Sequence, residues 1–203
     1  MNILHIDSSI TGANSVSRLL SAAIVTRQQT LHPGARVTYR DLVADAVPHL
    51  AGPALAILRG GAAAPAPAPG SDDAKGAAYL DELLAADLIV IGAPMYNFSI
   101  PSQLKGWIDR VCVPGRTFRY GDNGVEGLLK GKKLLIASAR GGIYSGDAPF
   151  AVLDHQETYL RGMLGFLGLN DVTVIRAEGI NLGPEAKAGA IAAAHTAIDA
   201  LAA

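Results

Sequence analysis

Met95, Tyr96, Asn97 and Phe98 place a thioether, two aromatic rings and an amide side by side in a chain whose aromatic content is only 5%. Such a ledge suits a flat, mostly apolar ligand. A second stretch, Ser8, Ser9, Thr11, Asn14, Ser15 and Ser17, offers hydroxyls where a helix is expected to begin, and the free backbone N–H groups of a helix start favour an anion such as a phosphate. A third, Arg140-Gly141-Gly142, presents backbone N–H groups with no side chain in the way, and glycine permits the close approach that the edge of a planar ring needs. Taken singly, each stretch also has an ordinary reading: rings as core, serines as helix caps, glycines as a turn. The phosphate motifs Gly-x-x-x-x-Gly-Lys-Ser/Thr and Gly-x-Gly-x-x-Gly do not occur in the serine stretch.

Strands must end where these stretches begin. Leu88-Ile89-Val90-Ile91-Gly92 reads as a buried strand running straight into the aromatic ledge. Ile3 to Asp7 reads as a first strand, ending at the serine loop; Val16, Leu19, Leu20, Ala23 and Ile24 then recur at helical spacing toward Leu31, and His32-Pro33-Gly34 supplies the stop. Val37 to Leu42 reads as a second strand, Lys132 to Ala137 as a fourth that leads to Ser138-Ala139-Arg140-Gly141-Gly142, and Val172 to Ala177 as a fifth. Helices are expected from Ser71, an N-cap with Asp72 and Asp73 in the first turn, to Ala86; from Pro101 to Val111; around His155 to Leu167; and from Pro184 to Leu201. The segment Ala46 to Gly61 carries only a short helix-like piece, the Ala/Pro alternation of Ala62 to Gly70 reads as an exposed extended loop, and the turn-rich excursion Pro114 to Gly131 is a candidate lid by its length.

Alternating strands and helices over 203 residues predict a single α/β domain, residues 1–203, built on a doubly wound sheet. Parallel strands put all their carboxyl ends on one edge, so the loops after the first, third and fourth converge. Phosphate donors, a flat shelf and a glycine edge on one rim together describe a flavin mononucleotide. A net charge of −1 and no dense Lys/Arg cluster argue against a nucleic-acid partner. No apolar run approaches the ~18 residues of a membrane span, no secretory signal opens the chain, and a lone Cys112 suits a reducing compartment; the expectation is a soluble cytoplasmic protein. His5, His49 and His155 lack metal-ligand spacing, so no metal is expected; Cys112, Asp109 and Arg110 read as packing and surface residues.

Asp7-Ser8-Ser9, Pro94-Met95-Tyr96-Asn97-Phe98, Thr117-Phe118-Arg119-Tyr120, Asn123-Gly124-Val125-Glu126-Gly127-Leu128, Arg140-Gly141-Gly142 and Ala177-Glu178-Gly179 extend over essentially the whole chain. With them the sequence resembles the FMN-dependent NADH azoreductases and NADH:quinone oxidoreductases of the flavodoxin-like superfamily, Met-Tyr-Asn-Phe being the most specific element. The resemblance implies a flavodoxin-like five-stranded parallel sheet, order 2-1-3-4-5, with helices on both faces. It implies a homodimer with one FMN per subunit near the interface. By position, Ser9, Ser15, Val16 and Ser17 would hold the phosphate, Met95, Tyr96, Asn97 and Phe98 would lie against the ring, and Ala139, Arg140, Gly141 and Gly142 would follow its edge. Many members have Ser where this chain has Ala139, a difference of about 0.5 to 1.5 kcal/mol if a hydroxyl contact is lost.

The activity implied is oxidation of NADH and two-electron reduction of quinones, or reductive cleavage of azo bonds, by a ping-pong scheme in which the flavin carries the redox chemistry. Gly141 and Gly142 N–H groups would stabilise negative charge along the ring's pyrimidine edge, and no side chain need act as acid or base. Phe98, Phe118 and Tyr120 are candidate walls of the substrate slot, with Arg59 near its mouth to meet a charged substituent. A flavodoxin-type electron carrier and an NAD(P)H-dependent FMN reductase are the competing readings.

Overall fold

The computed structural model describes residues 1–60, 67–122 and 124–202. In chain order its elements are β1 (Asn2–Asp7), α1 (Val16–Leu31), β2 (Arg36–Asp41), α2 (Gly52–Gly60), α3 (Asp72–Ala85), β3 (Leu88–Pro94), α4 (Ser102–Val111), β4 (Phe118–Gly121), β5 (Gly124–Gly127), β6 (Lys133–Ala139), α5 (Glu157–Phe166), β7 (Asp171–Ala177) and α6 (Pro184–Asp199). Five strands pair in parallel in the order β2-β1-β3-β6-β7, and β4 with β5 forms a separate antiparallel hairpin. With the hairpin set aside, this is the expected order 2-1-3-4-5.

All seven residues of β3 are buried, because a strand inside a parallel sheet is covered on both faces and reads as a continuous apolar run. Leu88 and Val90 pack with Ile3, Leu135 and Ala137 beneath Val16, Leu20 and Ile24 of α1 and Ala194 and Ile198 of α6. Ile89 and Ile91 point the other way, joining Leu4, Ile6, Leu134 and Ile136 against Tyr79 and Leu83 of α3, Trp107 of α4 and Leu160 of α5. Trp107, 1% exposed, therefore belongs to the core of its own chain. Two expected caps are in place: the Ser15 hydroxyl accepts from the Arg18 N–H at 3.2 Å and that of Ser71 from Ala74 N–H at 3.1 Å. No helix among the described residues is long and apolar enough to cross a membrane.

Helix α2 is the short helix-like piece expected within Ala46–Gly61, while much of the expected loop, residues 62–66, lies outside the described residues, as does Asn123. Two stretches differ from the sequence reading. Arg110 is not a surface charge: its side chain is 4% exposed and reaches Asp73 at 2.6 Å, with its stem laid over Gly76, where a Cβ would come within 3.2 Å of Arg110 Cδ. And the Pro114–Gly131 excursion is a hairpin whose base is part of the core. Thr117 Oγ donates to Val111 O at 2.8 Å, Leu128 N–H donates to Thr117 O and Leu129 N–H to Leu167 O, each at 2.9 Å, and Phe118 and Leu129 are buried.

The tightest point in that base is backbone on backbone. A Cβ on Gly127 would sit 2.2 Å from Gly168 N and 2.4 Å from the carbonyl carbon of Leu167, with no flexible side chain able to yield. A Gly127→Ala variant is expected to lose about 3 kcal/mol or more of stability, the upper range of overpacking costs, read from its urea-unfolding midpoint. An unchanged midpoint would show that the hairpin base is free.

Candidate functional site

The sheet ends in a cleft of about 330 Å³ at the carboxyl edge, lined from the loops after β1, β3, β6 and β7 and from the first turn of α6. Parallel register brings these loops together: Asp7 pairs with Gly92 and Gly92 with Ala137, so three chain segments distant in sequence leave the sheet side by side.

The loop after β1 is held from below. Asp7 is 3% exposed; its carboxylate accepts from Ser21 Oγ at 2.7 Å and Tyr39 Oη at 3.1 Å. Burial, together with the Asp7 charge, pushes the Tyr39 phenol up to about 12. Arg18 forms a bidentate pair with Asp41, both contacts at 2.7 Å, and donates to Ser9 O from Nε at 3.2 Å and from a terminal nitrogen at 2.8 Å. The Arg18 guanidinium hydrogen-bonded to Asp41 holds that carboxyl below the usual carboxylate range. Above this support, Ser9 Oγ lies 3.0 Å from Thr11 Oγ1 and 3.2 Å from Tyr96 Oη, and Ser15 Oγ lies 3.1 Å from Ser17 Oγ. The Val16 and Ser17 N–H groups at the start of α1 have no acceptor among the described residues, as the first N–H groups of a helix do unless a cap or ligand takes them.

The loop after β3 is a two-residue turn. Tyr96 and Ser99 exchange backbone hydrogen bonds of 2.9 and 3.1 Å, and Asn97 and Phe98 between them have φ of 48° and 69°. Left-handed backbone at a bulky non-glycine residue costs of order 1 to 3 kcal/mol, so the turn needs outside support. It has it: Met95 N–H donates to Ala139 O at 2.8 Å, His155 N–H donates to Phe98 O at 3.0 Å, and the Phe98 ring meets Tyr144 edge-on with centroids 6.0 Å apart.

The loop after β6 is zipped to the loop after β7. Arg140 N–H donates to Ala177 O, while the carbonyls of Arg140, Gly141 and Gly142 accept from the N–H groups of Ile180, Asn181 and Gly179 at 3.2, 3.1 and 2.9 Å. With those carbonyls used, the Gly141 and Gly142 N–H groups are left without an acceptor among the described residues. A side chain here would crowd its neighbours: a Cβ on Gly141 would approach Asn181 Nδ2 to 2.5 Å, so that the Asn181 side chain would have to move, and one on Gly142 would come within 3.1 Å of Tyr144 Oη. Behind the loop, Glu178 accepts from Tyr144 N–H at 2.8 Å and Ser145 N–H at 3.1 Å. Arg140 is wholly buried, donating from Nε to Ser138 Oγ at 3.0 Å and pairing with Asp154 at 3.0 Å, Glu178 at 3.2 Å and Glu157.

Of the residues singled out in the sequence, Ser9, Ser15, Val16, Ser17, Met95, Tyr96, Ala139 and Gly141 all line this cleft. Asn97, Phe98 and Gly142 sit in the loops that frame it, and Arg140, in the same loop as Gly142, is buried among carboxylates and does not line it. Phe118, packed on Phe166 at 4.8 Å, the exposed Tyr120 and the exposed Arg59 at the end of α2 do not line it. Ile180, Asn181 and Lys187 line it without having been anticipated. The signal for the first two was the same carboxyl-edge rule applied to one more strand.

Residues 1–202 match a protein family described by its flavodoxin-like fold. An FMN-dependent NADH:quinone oxidoreductase from Bradyrhizobium sp. (strain BTAi1) is 56% identical over 195 residues, 96% of either chain. One from Rhizobium meliloti (strain 1021) is 55% identical over 204 residues, 98% of this chain and 95% of its own. Among solved structures, an azoreductase from Bacillus anthracis str. Sterne superposes with a TM-score of 0.88 at 27% identity, covering 99% of this chain and 100% of its own. An FMN-dependent NADH-azoreductase from Bacillus anthracis str. Ames Ancestor, in complex with FMN, gives 0.84 at 27% identity with 100% of both chains covered.

The Arg18–Asp41 pair carries a pH dependence. Because the Asp41 carboxyl is held below its ordinary 3.8 when folded, its contribution is complete above that value and is lost as pH falls from there through the folded one. The stability difference between wild type and Asp41→Asn is therefore expected to be constant near neutrality and to shrink below about pH 4. Denaturant unfolding at pH 7 and pH 3 measures it, and a difference that grows on acidification would contradict the assignment.

Proposed function

The chain belongs to the flavodoxin-like family, and we propose that within it this protein is an FMN-dependent oxidoreductase that uses NADH to reduce quinones to hydroquinones and to cleave azo bonds. The observation that carries the reading is the pair of unpaired N–H sets at one cleft, Val16 with Ser17 at the start of α1 and Gly141 with its neighbour Gly142 in the loop after β6, with Met95 and Tyr96 of the loop after β3 on the same lining. FMN presents the complementary shape: a phosphate at one end and a planar ring with hydrogen-bond acceptors along one edge at the other. The donor set fits it, since the described lining holds hydroxyls, amides and one amine but no carboxylate.

On this reading the hydroxyls of Ser9, Ser15 and Ser17 and the N–H groups of Val16 and Ser17 hold the phosphate, Met95, Tyr96, Asn97 and Phe98 form the shelf under the ring, and Ala139 to Gly142 follow its edge. Ala139 contributes backbone there; its carbonyl is already engaged by Met95 N–H. Bound FMN would supply the redox chemistry, the acceptance of a hydride equivalent from NADH and the two-electron reduction of the acceptor. The protein's own part is to orient, to exclude water and to aim fixed dipoles at the ring edge. Phe98, raised by its strained turn and 41% exposed, is the wall that the acceptor meets. We read the protein as a homodimer: Ile143 and Leu182, both against Gly179, and Phe150 and Val152 are large apolar side chains more than half exposed, a surface that a second copy would cover, with the exposed Tyr120 and Arg59 available to a site shared between subunits.

The purified protein is expected to be yellow, to bleach under anaerobic NADH, and to regain colour with a quinone or an azo dye, with parallel lines in two-substrate initial-rate plots. Bleaching by NADH separates it from a flavodoxin-type carrier, and flavin retained through gel filtration after turnover separates it from a flavin-releasing reductase. A colourless protein that FMN cannot reconstitute would sink the reading. Phe98→Ala is expected to keep its FMN and to change the relative kcat/KM of small and large quinones severalfold, on the order of 1 kcal/mol of differential contact; identical ratios would remove Phe98 from the acceptor wall.

A further inference from the structure

Lys187 is the one charged side chain among the described residues lining the cleft. Every other cation near the site is committed elsewhere. Arg18 is spent on Asp41 at 2.7 Å and on Ser9 O, and Arg140 is buried among Asp154, Glu157 and Glu178. Lys187 has no ion pair among the described residues, although fifteen such pairs involve other side chains. It stands in the first turn of α6, its N–H bonded to Gly183 O at 3.0 Å, where a cation meets the positive end of the helix and gains nothing locally. Helix α6 packs on the same sheet face as α1, both follow strands that end at the carboxyl edge, and Lys187, exposed on α6, lines the same cleft as Val16 and Ser17 at the start of α1. A solvated cation at a helix start, in a cleft with no carboxylate in its described lining, makes the local potential favourable for an anion that enters the cleft.

We infer that Lys187 is a specificity residue for the phosphate end of the cofactor, supplying the positive charge that the hydroxyl and N–H cradle of the loop after β1 lacks, and so making the site select a phosphorylated flavin over its dephosphorylated form. This rests on the flavin reading of the cleft. A charge-assisted contact of the ammonium with a phosphate dianion adds to neutral donors that already satisfy part of its oxygens. The gain concerns the phosphate alone, so riboflavin, which has the same ring and ribityl chain, is indifferent to it.

The test is a fluorescence titration of the flavin-stripped full-length protein with FMN and with riboflavin, for wild type, Lys187→Met and Lys187→Arg. Lys187→Met is expected to weaken FMN about tenfold, within the range for a hydrogen bond to a charged group, to leave riboflavin within twofold, and to lose much of the salt dependence of FMN binding; Lys187→Arg keeps most of the FMN affinity. FMN affinity unchanged in Lys187→Met, or riboflavin weakened as much as FMN, would overturn the assignment while leaving the flavin site standing. Wild-type protein that binds neither flavin would instead overturn the flavin reading, and this inference with it.

Discussion

A carboxylate taken out of water has to be met by donors or charge, and Asp7 at the end of β1, 3% exposed, sets that demand at the point from which the site is built. Gly92 on the neighbouring strand makes the space, since a Cβ there would stand 2.3 Å from Asp7 Oδ1. Ser21 and Tyr39 donate to the carboxylate, Arg18 stands 3.9 Å from it, and Ser8 Oγ closes the strand end by donating to Gly92 O at 2.8 Å. Arg18, once drawn in, also grips Asp41 and Ser9 O. The serine loop is thereby fixed from beneath, and its upper surface is left with the hydroxyls and N–H groups that the fold itself does not consume.

The same division of labour recurs after β6. Carbonyls of the loop are paired with N–H groups of the loop after β7, Glu178 fastens the next turn, and Arg140 sinks into a carboxylate cluster. What remains on the cleft side is donor. Both loops achieve this by backbone pairing: the carbonyls after β6 are taken up within the protein, and the N–H groups of Val16, Ser17, Gly141 and Gly142 have no acceptor among the described residues.

That is why the sequence disclosed the elements better than the site. The buried strands were legible because a parallel sheet demands uninterrupted apolar runs such as Leu88 to Ile91, and the helix starts were legible because Ser15 and Ser71 are caps by side-chain type. Backbone donors have no letter of their own, and glycine alone hints at them, which is how Gly141 and Gly142 were found. Arg140 was legible as a position but not as a burial, because a guanidinium reads as polar until three carboxylates from other elements surround it. Lys187 was invisible for the opposite reason: an exposed lysine on a helix reads as an ordinary surface residue, and only the packing of α6 beside α1 puts it on the lining of the cleft. The hairpin base escaped notice because its anchor is a contact between two glycine backbones, Gly127 and Gly168, separated in sequence by a strand and a helix.

Rigidity and strain are coupled at the rim. Phe98 holds a left-handed backbone that no intrinsic preference supports, and it persists because the His155 N–H takes its carbonyl and the Tyr144 ring flanks its side chain. Tyr144 in turn is placed by Glu178, whose carboxylate also pairs with Arg140. The shelf after β3 and the N–H edge after β6 thus share one chain of support running through buried charge, and neither loop can shift without disturbing the other. A ligand spanning the two meets a surface whose spacing is set before it arrives, so that little ordering free energy is spent on binding.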